Sequence, residues 1–301
     1  MSIMGLPPEP VNGAFGDGLR ADWPTRTLSA KLGATMKPAD YRRALRAAVT
    51  AARAAGAVLR RNLDATKRVN ERHSHDIKLE LDVRCQRLIE RSLARAFPGV
   101  AVLGEEGDSG HDQPPARWVI DPIDGTVNYA YGIPHACVCI ALQVRSRAAA
   151  ARVDDGYATV LGVVYDPFLD EMWTAVVGDR ARLNGKPIRV SSRKDLRDAI
   201  CAMGYGKNEQ TMGEALRVFK KMSRNTRKMR NMGSAGLALA YVACGRFDAY
   251  LERGISLWDI AAGGFIVERA GGDFWRERQP GRASYRMIAS NGKLRRQIEA
   301  L

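Results

Sequence analysis

The chain has 301 residues, enough for one large or two ordinary domains around a substantial core. Hydrophobic residues make up 46% and charged residues 27%, a soluble globular balance, and no apolar run is long enough to span a bilayer, so no membrane role is expected. The formal charge of +14 favours anionic partners; phosphorylated metabolites, nucleic acid and anionic membrane surfaces all fit, so the charge alone does not choose, though no membrane partner is expected.

The start, MSIMGLPPEPVNGAFGDG, lacks a basic region ahead of an apolar one. It therefore predicts no secretory signal and a cytoplasmic protein with reduced thiols. The five cysteines fit neither a disulfide framework nor a zinc ribbon. Residues 1–36, rich in Gly and Pro without periodicity, read as a mobile arm.

From Asp40 the apolar positions Leu45, Ala48, Val49, Ala52, Leu59 and Leu63 draw a helical stripe with arginines opposite it. The segment HSHDIKLELD reads as a short polar loop in which His73 and His75 are solvated. Asp82 is expected to cap a second helix, with apolar positions at Cys85, Leu88, Ile89, Leu93 and Ala96 and a stop at Pro98-Gly99. A short buried strand over 100–103 then runs into an acidic bend, Gly104-Glu105-Glu106-Gly107. His111 falls in an exposed loop.

The most informative stretch is WVIDPIDGTVNYAYGIP, 118–134. A strand over 118–120 ends in Asp121-Pro122-Ile123-Asp124-Gly125-Thr126, where two carboxylates three residues apart can face one spot. A helix starting after Thr126 would leave the Gly125 and Thr126 amides unpaired, a seat for phosphate. Carboxylates beside a phosphate repel it unless cations lie between, so the stretch implies metal. An Asx-turn leading into a helix cap would account for a single Asp-Pro, but not for two acids after a core strand.

A strand follows over 136–144; within it Cys137 and Cys139 share one face and are expected to point into the core rather than act in catalysis. Strands over 159–165 and 171–177 pair, and Asn184-Gly185 marks a tight turn. A domain boundary is expected over 180–195, dividing the chain at 37–185 and 186–301. Strands over 199–203, 226–229, 247–251 and 285–289 alternate with helices over 208–222, 233–244 and 257–270, the rotation of a layered α/β domain. The run KKMSRNTRKMR is basic but holds no aromatic residue for stacking on bases, so a nucleic-acid role is only weakly supported. A third acidic bend, Trp258-Asp259-Ile260-Ala261-Ala262-Gly263, puts Asp259 in the first turn of its helix. The small residues after it would let another element come close.

GEEG, DPIDGT and WDIAAG, in this order and at these distances, resemble the inositol monophosphatase family, with matches over WVIDPIDGTVNYAYGIP and WDIAAGGFIVERAGG. The resemblance covers about 40–295. It implies a five-layer α-β-α-β-α sandwich of the inositol monophosphatase/fructose-1,6-bisphosphatase type, usually a homodimer. It also implies a lithium-sensitive phosphomonoesterase with two or three Mg2+ per site, acting by direct attack of a metal-activated water. By position, Glu105, Asp121 and the Ile123 carbonyl resemble ligands of a first ion. Asp121, Asp124 and Asp259 resemble those of a second, and Glu105 with Asp82 would hold waters on a third. Thr126 and Asp82 look like the pair that orients water, and the Gly125 and Thr126 amides like the phosphate donors. Asp124, Ala235 and Glu252 match positions that touch the alcohol.

Many relatives have threonines and a nearby lysine around Asp76, where this chain reads Asp76-Ile77-Lys78-Leu79-Glu80-Leu81-Asp82. The all-oxygen donor set independently suits a hard ion. The resemblance thus implies hydrolysis of a small phosphorylated polyol, inositol 1-phosphate first. Histidinol phosphate, fructose 1,6-bisphosphate and phosphoadenosine phosphate are alternatives; a bisphosphate would need extra cations near the alcohol pocket, for which Lys207, Arg230 and Arg253 are candidates. A different class, an RNA- or transcription-complex-binding protein on a phosphatase fold, stays open.

Overall fold

The structure, a computed structural model, describes residues 38–73, 76–109, 114–146, 155–205, 209–280 and 283–301. The arm over 1–36, His75, His111 and Lys207 lie outside the described residues. Helix α1, Pro38–Asn62, is followed by a two-stranded hairpin, β1 Val69–His73 and β2 Asp76–Leu79, and by α2, Glu80–Ala96. The hairpin corrects the loop expected for HSHDIKLELD and puts His73 in a strand. Each strand is short and mostly polar, and it finds its partner in a segment that carries no apolar periodicity of its own. Asp82 is not the cap of α2 either. The helix begins two residues earlier, and the Asp82 carboxylate reaches back to accept the Leu79 amide at 2.7 Å.

The next strands are β3 Ala101–Gly104, β4 Gly107–Ser109 and β5 Ala116–Asp124, followed by the short helix α3, Thr126–Ala130. Then come β6 Cys137–Arg145, β7 Tyr157–Asp166, β8 Glu171–Val176, β9 Arg182–Leu183 and β10 Lys186–Pro187. They form one eight-stranded sheet in the order β10-β9-β8-β7-β6-β5-β3-β4. Asn184 and Gly185, both at positive φ, turn β9 into β10 as their sequence predicts, so this sheet runs on to Pro187.

The remaining elements are β11 Ile200–Met203, α4 Glu209–Asn225, β12 Lys228–Arg230, α5 Ala235–Ala243, β13 Ala249–Ser256, α6 Leu257–Arg269, β14 Asp273–Arg278, β15 Ser284–Ser290 and α7 Arg295–Glu299. Their strands make a five-stranded sheet in the order β12-β11-β13-β15-β14.

Three cores stack these elements. Ala48, Ala52, Leu59, Ile89 and Leu93 of α1 and α2 cover one face of the large sheet, against Ile120, Ile140 and Val163. Its other face packs on α5 and α6, which in turn cover the small sheet through Tyr250, Ile255 and Met287. Met222 of α4 and Ile298 of α7 close the outer face of the small sheet against Cys201 and Leu251. The result is five layers, α-β-α-β-α, as the motifs imply. The small residues after Asp259 allow the close approach expected of them: a side chain on Gly162 of β7 would come within 2.6 Å of the Ala262 carbonyl oxygen.

Candidate active site

All three acidic bends end at one cleft of about 350 Å³, within the usual size of small-molecule sites. Glu105, Asp121, Ile123, Asp124, Gly125 and Thr126 line one side. Ala235, Tyr250, Glu252 and Asp259 line the other.

The DPIDGT segment is built by competing constraints. Pro122 sits in the last part of β5, and the Asp121 carboxylate accepts the Ile123 amide at 2.9 Å, so the Asx-turn is present and the second carboxylate oxygen is left for the cleft. Gly125 has φ 93°, and a side chain there would meet the His135 carbonyl oxygen at 2.9 Å, so only glycine allows the bend. Asp124 takes hydrogen bonds from the Ser234 hydroxyl, from the Ala235 amide at 3.1 Å, from the Gly236 amide at 2.7 Å and from the Cys137 thiol at 3.3 Å. Asp259 is the third residue of α6 and accepts the Ser256 amide at 2.9 Å. It repeats what Asp82 does at α2.

Carboxylate oxygens of Asp121, Asp124 and Asp259 lie within 4.8 Å of one another. Burial raises the Asp121 carboxyl far above its ordinary range, and the charges of Glu105, Asp124 and Asp259 push it further. Asp124 is raised by burial despite its four donors, and Asp259 is pushed up to about 7 by burial and by Asp124. Buried acids that repel one another while presenting only oxygen are the donor set of a hard divalent cation. Magnesium fits these residues.

Asp82 is buried behind Thr126 rather than on the wall of the cleft; burial, then Glu105 and Glu106, push its carboxyl to about 8. The Thr126 hydroxyl lies 3.3 Å from Asp82 Oδ1 and 2.7 Å from the Ile123 carbonyl oxygen, so the pair expected from sequence does meet. Glu252 lies inside β13, not at a strand end, and accepts the Tyr250 hydroxyl. Arg253, a candidate substrate cation, pairs instead with Glu214, and Arg246 pairs with Glu171. Arg230 is exposed on β12.

Several residues that serve this site carry no signal in the sequence. Gln86 of α2 accepts the Glu106 amide and donates to the Gly107 carbonyl, both at 3.0 Å, fixing the bend that presents Glu105. Asn128 of α3 donates to the His135 and Met232 carbonyls at 2.9 Å, tying DPIDGT to the loop before α5. Ser234 and Tyr250 hold Asp124 and Glu252. Each is a polar residue whose task appears only once distant segments meet.

A profile described as the inositol monophosphatase family matches residues 40–299. The chain belongs to the inositol monophosphatase family. It is 40% identical over 258 residues to a protein named Nus factor SuhB from Xylella fastidiosa, across 82% of this chain and 89% of that one. It is 36% identical over 233 residues to inositol monophosphatase 1 of Solanum lycopersicum, across 75% and 81%. A solved inositol monophosphatase from Anabaena superposes with a TM-score of 0.71 at 33% identity, covering 85% of this chain and 93% of that one. The inositol monophosphatase fold therefore houses relatives with two kinds of name. Among the described residues, no helix is long and apolar enough to cross a membrane.

Proposed function

We propose that the cleft hydrolyses a small phosphate monoester, inositol 1-phosphate first, with magnesium held by Glu105, Asp121, the Ile123 carbonyl, Asp124 and Asp259. The observation that carries this reading is the meeting of Asp121, Asp124 and Asp259 oxygens within 4.8 Å, in a cleft also lined by Gly125, Thr126 and Glu252. Divalent ions there would neutralise the acids, polarise the phosphoryl group and activate the attacking water. The first-turn amides at Gly125 and Thr126 have no partner within their own helix and would bind phosphate oxygens. Thr126 Oγ1 would orient the water, and Asp82, hydrogen-bonded to that hydroxyl, would accept the proton passed through it. Glu252 and the Ala235 backbone would receive the polyol. Lithium sensitivity, a homodimer and a cytoplasmic setting belong to the same reading.

The test is a magnesium-dependent screen across polyol, sugar, histidinol and nucleotide phosphates. Turnover should be strongest on inositol 1-phosphate and lost in Asp121→Asn, with little rescue by excess magnesium because one carboxylate serves two ions. No turnover on any of these esters, or near-normal activity in that variant at modest magnesium, would sink the proposal.

A second reading has its own observation. Arg217, Lys220, Lys221 and Arg224 of α4, with Lys228 and Arg230 of β12, are all exposed. A basic face of this kind would bind RNA through phosphates, and the affinity would fall steeply with salt. A flat salt dependence would exclude it.

A further inference from the structure

Beneath the oxygen cluster lies a second set of donors that the phosphatase chemistry does not use. Cys137 and Cys139 of β6, both buried, turn the same face toward the N-terminus of α5. Their sulfurs are 3.7 Å apart, and Cys137 Sγ lies 3.3 Å from Asp124 Oδ2. All three atoms fall within 4.8 Å of one another, and Ser234 Oγ lies 3.7 Å from Cys137 Sγ. The three donors converge on Gly236, where a side chain would come within 2.4 Å of Cys139 Sγ and 3.0 Å of Asp124 Oδ2. Only glycine lets the three donors pack this closely around the start of α5.

These separations match a particular coordination polyhedron. Zinc bonds of about 2.3 Å to sulfur and about 2.0 Å to carboxylate, set at tetrahedral angles, require edges of about 3.8 Å between sulfurs and about 3.5 Å between sulfur and oxygen. The observed 3.7 Å and 3.3 Å are already close to those edges. A hard ion such as magnesium has no use for the sulfurs, whereas a thiophilic ion prefers them. The two donor sets share one residue, Asp124.

We propose that Asp124, Cys137 and Cys139 form a binding site for a thiophilic divalent ion, zinc or cadmium in class, distinct from the magnesium cluster. The ion binds the two sulfurs as thiolates, releasing two protons to solvent, and draws Asp124 Oδ2 toward itself. Because Asp124 also belongs to the oxygen cluster, filling the sulfur site lowers phosphatase turnover. A thiophilic ion thus acts as an inhibitor through a carboxylate common to both sites.

Cadmium titrated into the full chain tests the binding half, and that half needs no phosphatase activity. The thiolate-to-cadmium charge-transfer absorbance in the ultraviolet should saturate at one equivalent. It should be lost in Cys139→Ala and kept in Cys244→Ala, a control at a cysteine remote from the cleft. Persistence of the absorbance in Cys139→Ala, or its loss in Cys244→Ala, would overturn the site. The inhibitory half is read on an aryl phosphate at saturating magnesium. Cys139→Ala should keep its basal turnover and need at least tenfold more cadmium for half inhibition. Equal inhibition of both proteins would place the inhibitory ion among the oxygens alone and refute the coupling. An enzyme inactive on every ester would leave the absorbance result standing, so failure of the functional reading is separable from failure of the site.

Discussion

At the scale of single residues, the carboxylates divide by what their second oxygen does. Asp82 uses one oxygen on the Leu79 amide and the other toward Thr126, so its hydrogen-bonded link to the cleft runs through a hydroxyl. Substitution there should disturb a contact made mainly in the transition state. Thr126→Ala and Asp82→Asn are expected to lower kcat by about a hundredfold or more while changing KM little; a rise in KM with kcat preserved would remove the proton-transfer role. Glu252 differs, because it lines the cleft beside Tyr250, where the proposed function seats the leaving alcohol. Glu252→Gln should cost roughly tenfold to a hundredfold on inositol 1-phosphate, the effect of about 1–3 kcal/mol for an unmatched polar partner, and nearly nothing on an aryl phosphate without hydroxyls. Equal losses on both substrates would mean that Glu252 supports the fold or the metals instead.

At the scale of elements, the helices α2 and α6 start on the same device, a third-residue aspartate that takes the amide just before the helix. The bond that begins each helix is also the bond that aims its acid. Gln86, one turn further along α2, braces the Glu105 bend. Gln86→Ala should leave the fold intact, at a cost of about 1–3 kcal/mol for the unpaired backbone groups. It should also weaken magnesium activation, seen as a higher magnesium concentration for half-maximal rate; unchanged activation would show that the bend holds itself.

Sequence made the acids legible because DPIDGT, GEEG and WDIAAG join strong local turn chemistry to strand ends. It also made the helical stripe of α1 legible, since alanines at helical spacing leave few alternatives. The β1–β2 hairpin was not legible, because polar alternation in a short strand looks like a loop until its partner is known. Nor was the bracing role of Gln86, whose partners in the acidic bend lie 20 and 21 residues away. A single side chain bonding across that distance leaves no periodic trace.

At the scale of the whole molecule, the buried acids set a pH dependence of stability. Asp82 and Asp259, at about 8 and about 7, and Asp121 and Asp124, raised likewise, bind protons more tightly folded than unfolded in the metal-free chain. Their contribution is therefore fully present below the ordinary carboxylate range and is lost as pH rises toward 8. Magnesium bound among these acids would reverse this by replacing the protons. A ligand at a hundred times its Kd adds about 2.7 kcal/mol, so magnesium should raise Tm clearly at pH 8 and far less at pH 5. Equal shifts at both pH values would mean that the ion binds elsewhere.

The layer of α5 and α6 between the two sheets carries a kinetic consequence. Asp121 and Asp124 end a strand of the large sheet, whereas Asp259 opens the helix that follows a strand of the small one. No early, local nucleus can bring them together; both sheets must first clamp the helices between them. An ion that needs all three acids has nothing to hold in the folding transition state. Magnesium should therefore leave the refolding rate unchanged and act as a brake on unfolding alone.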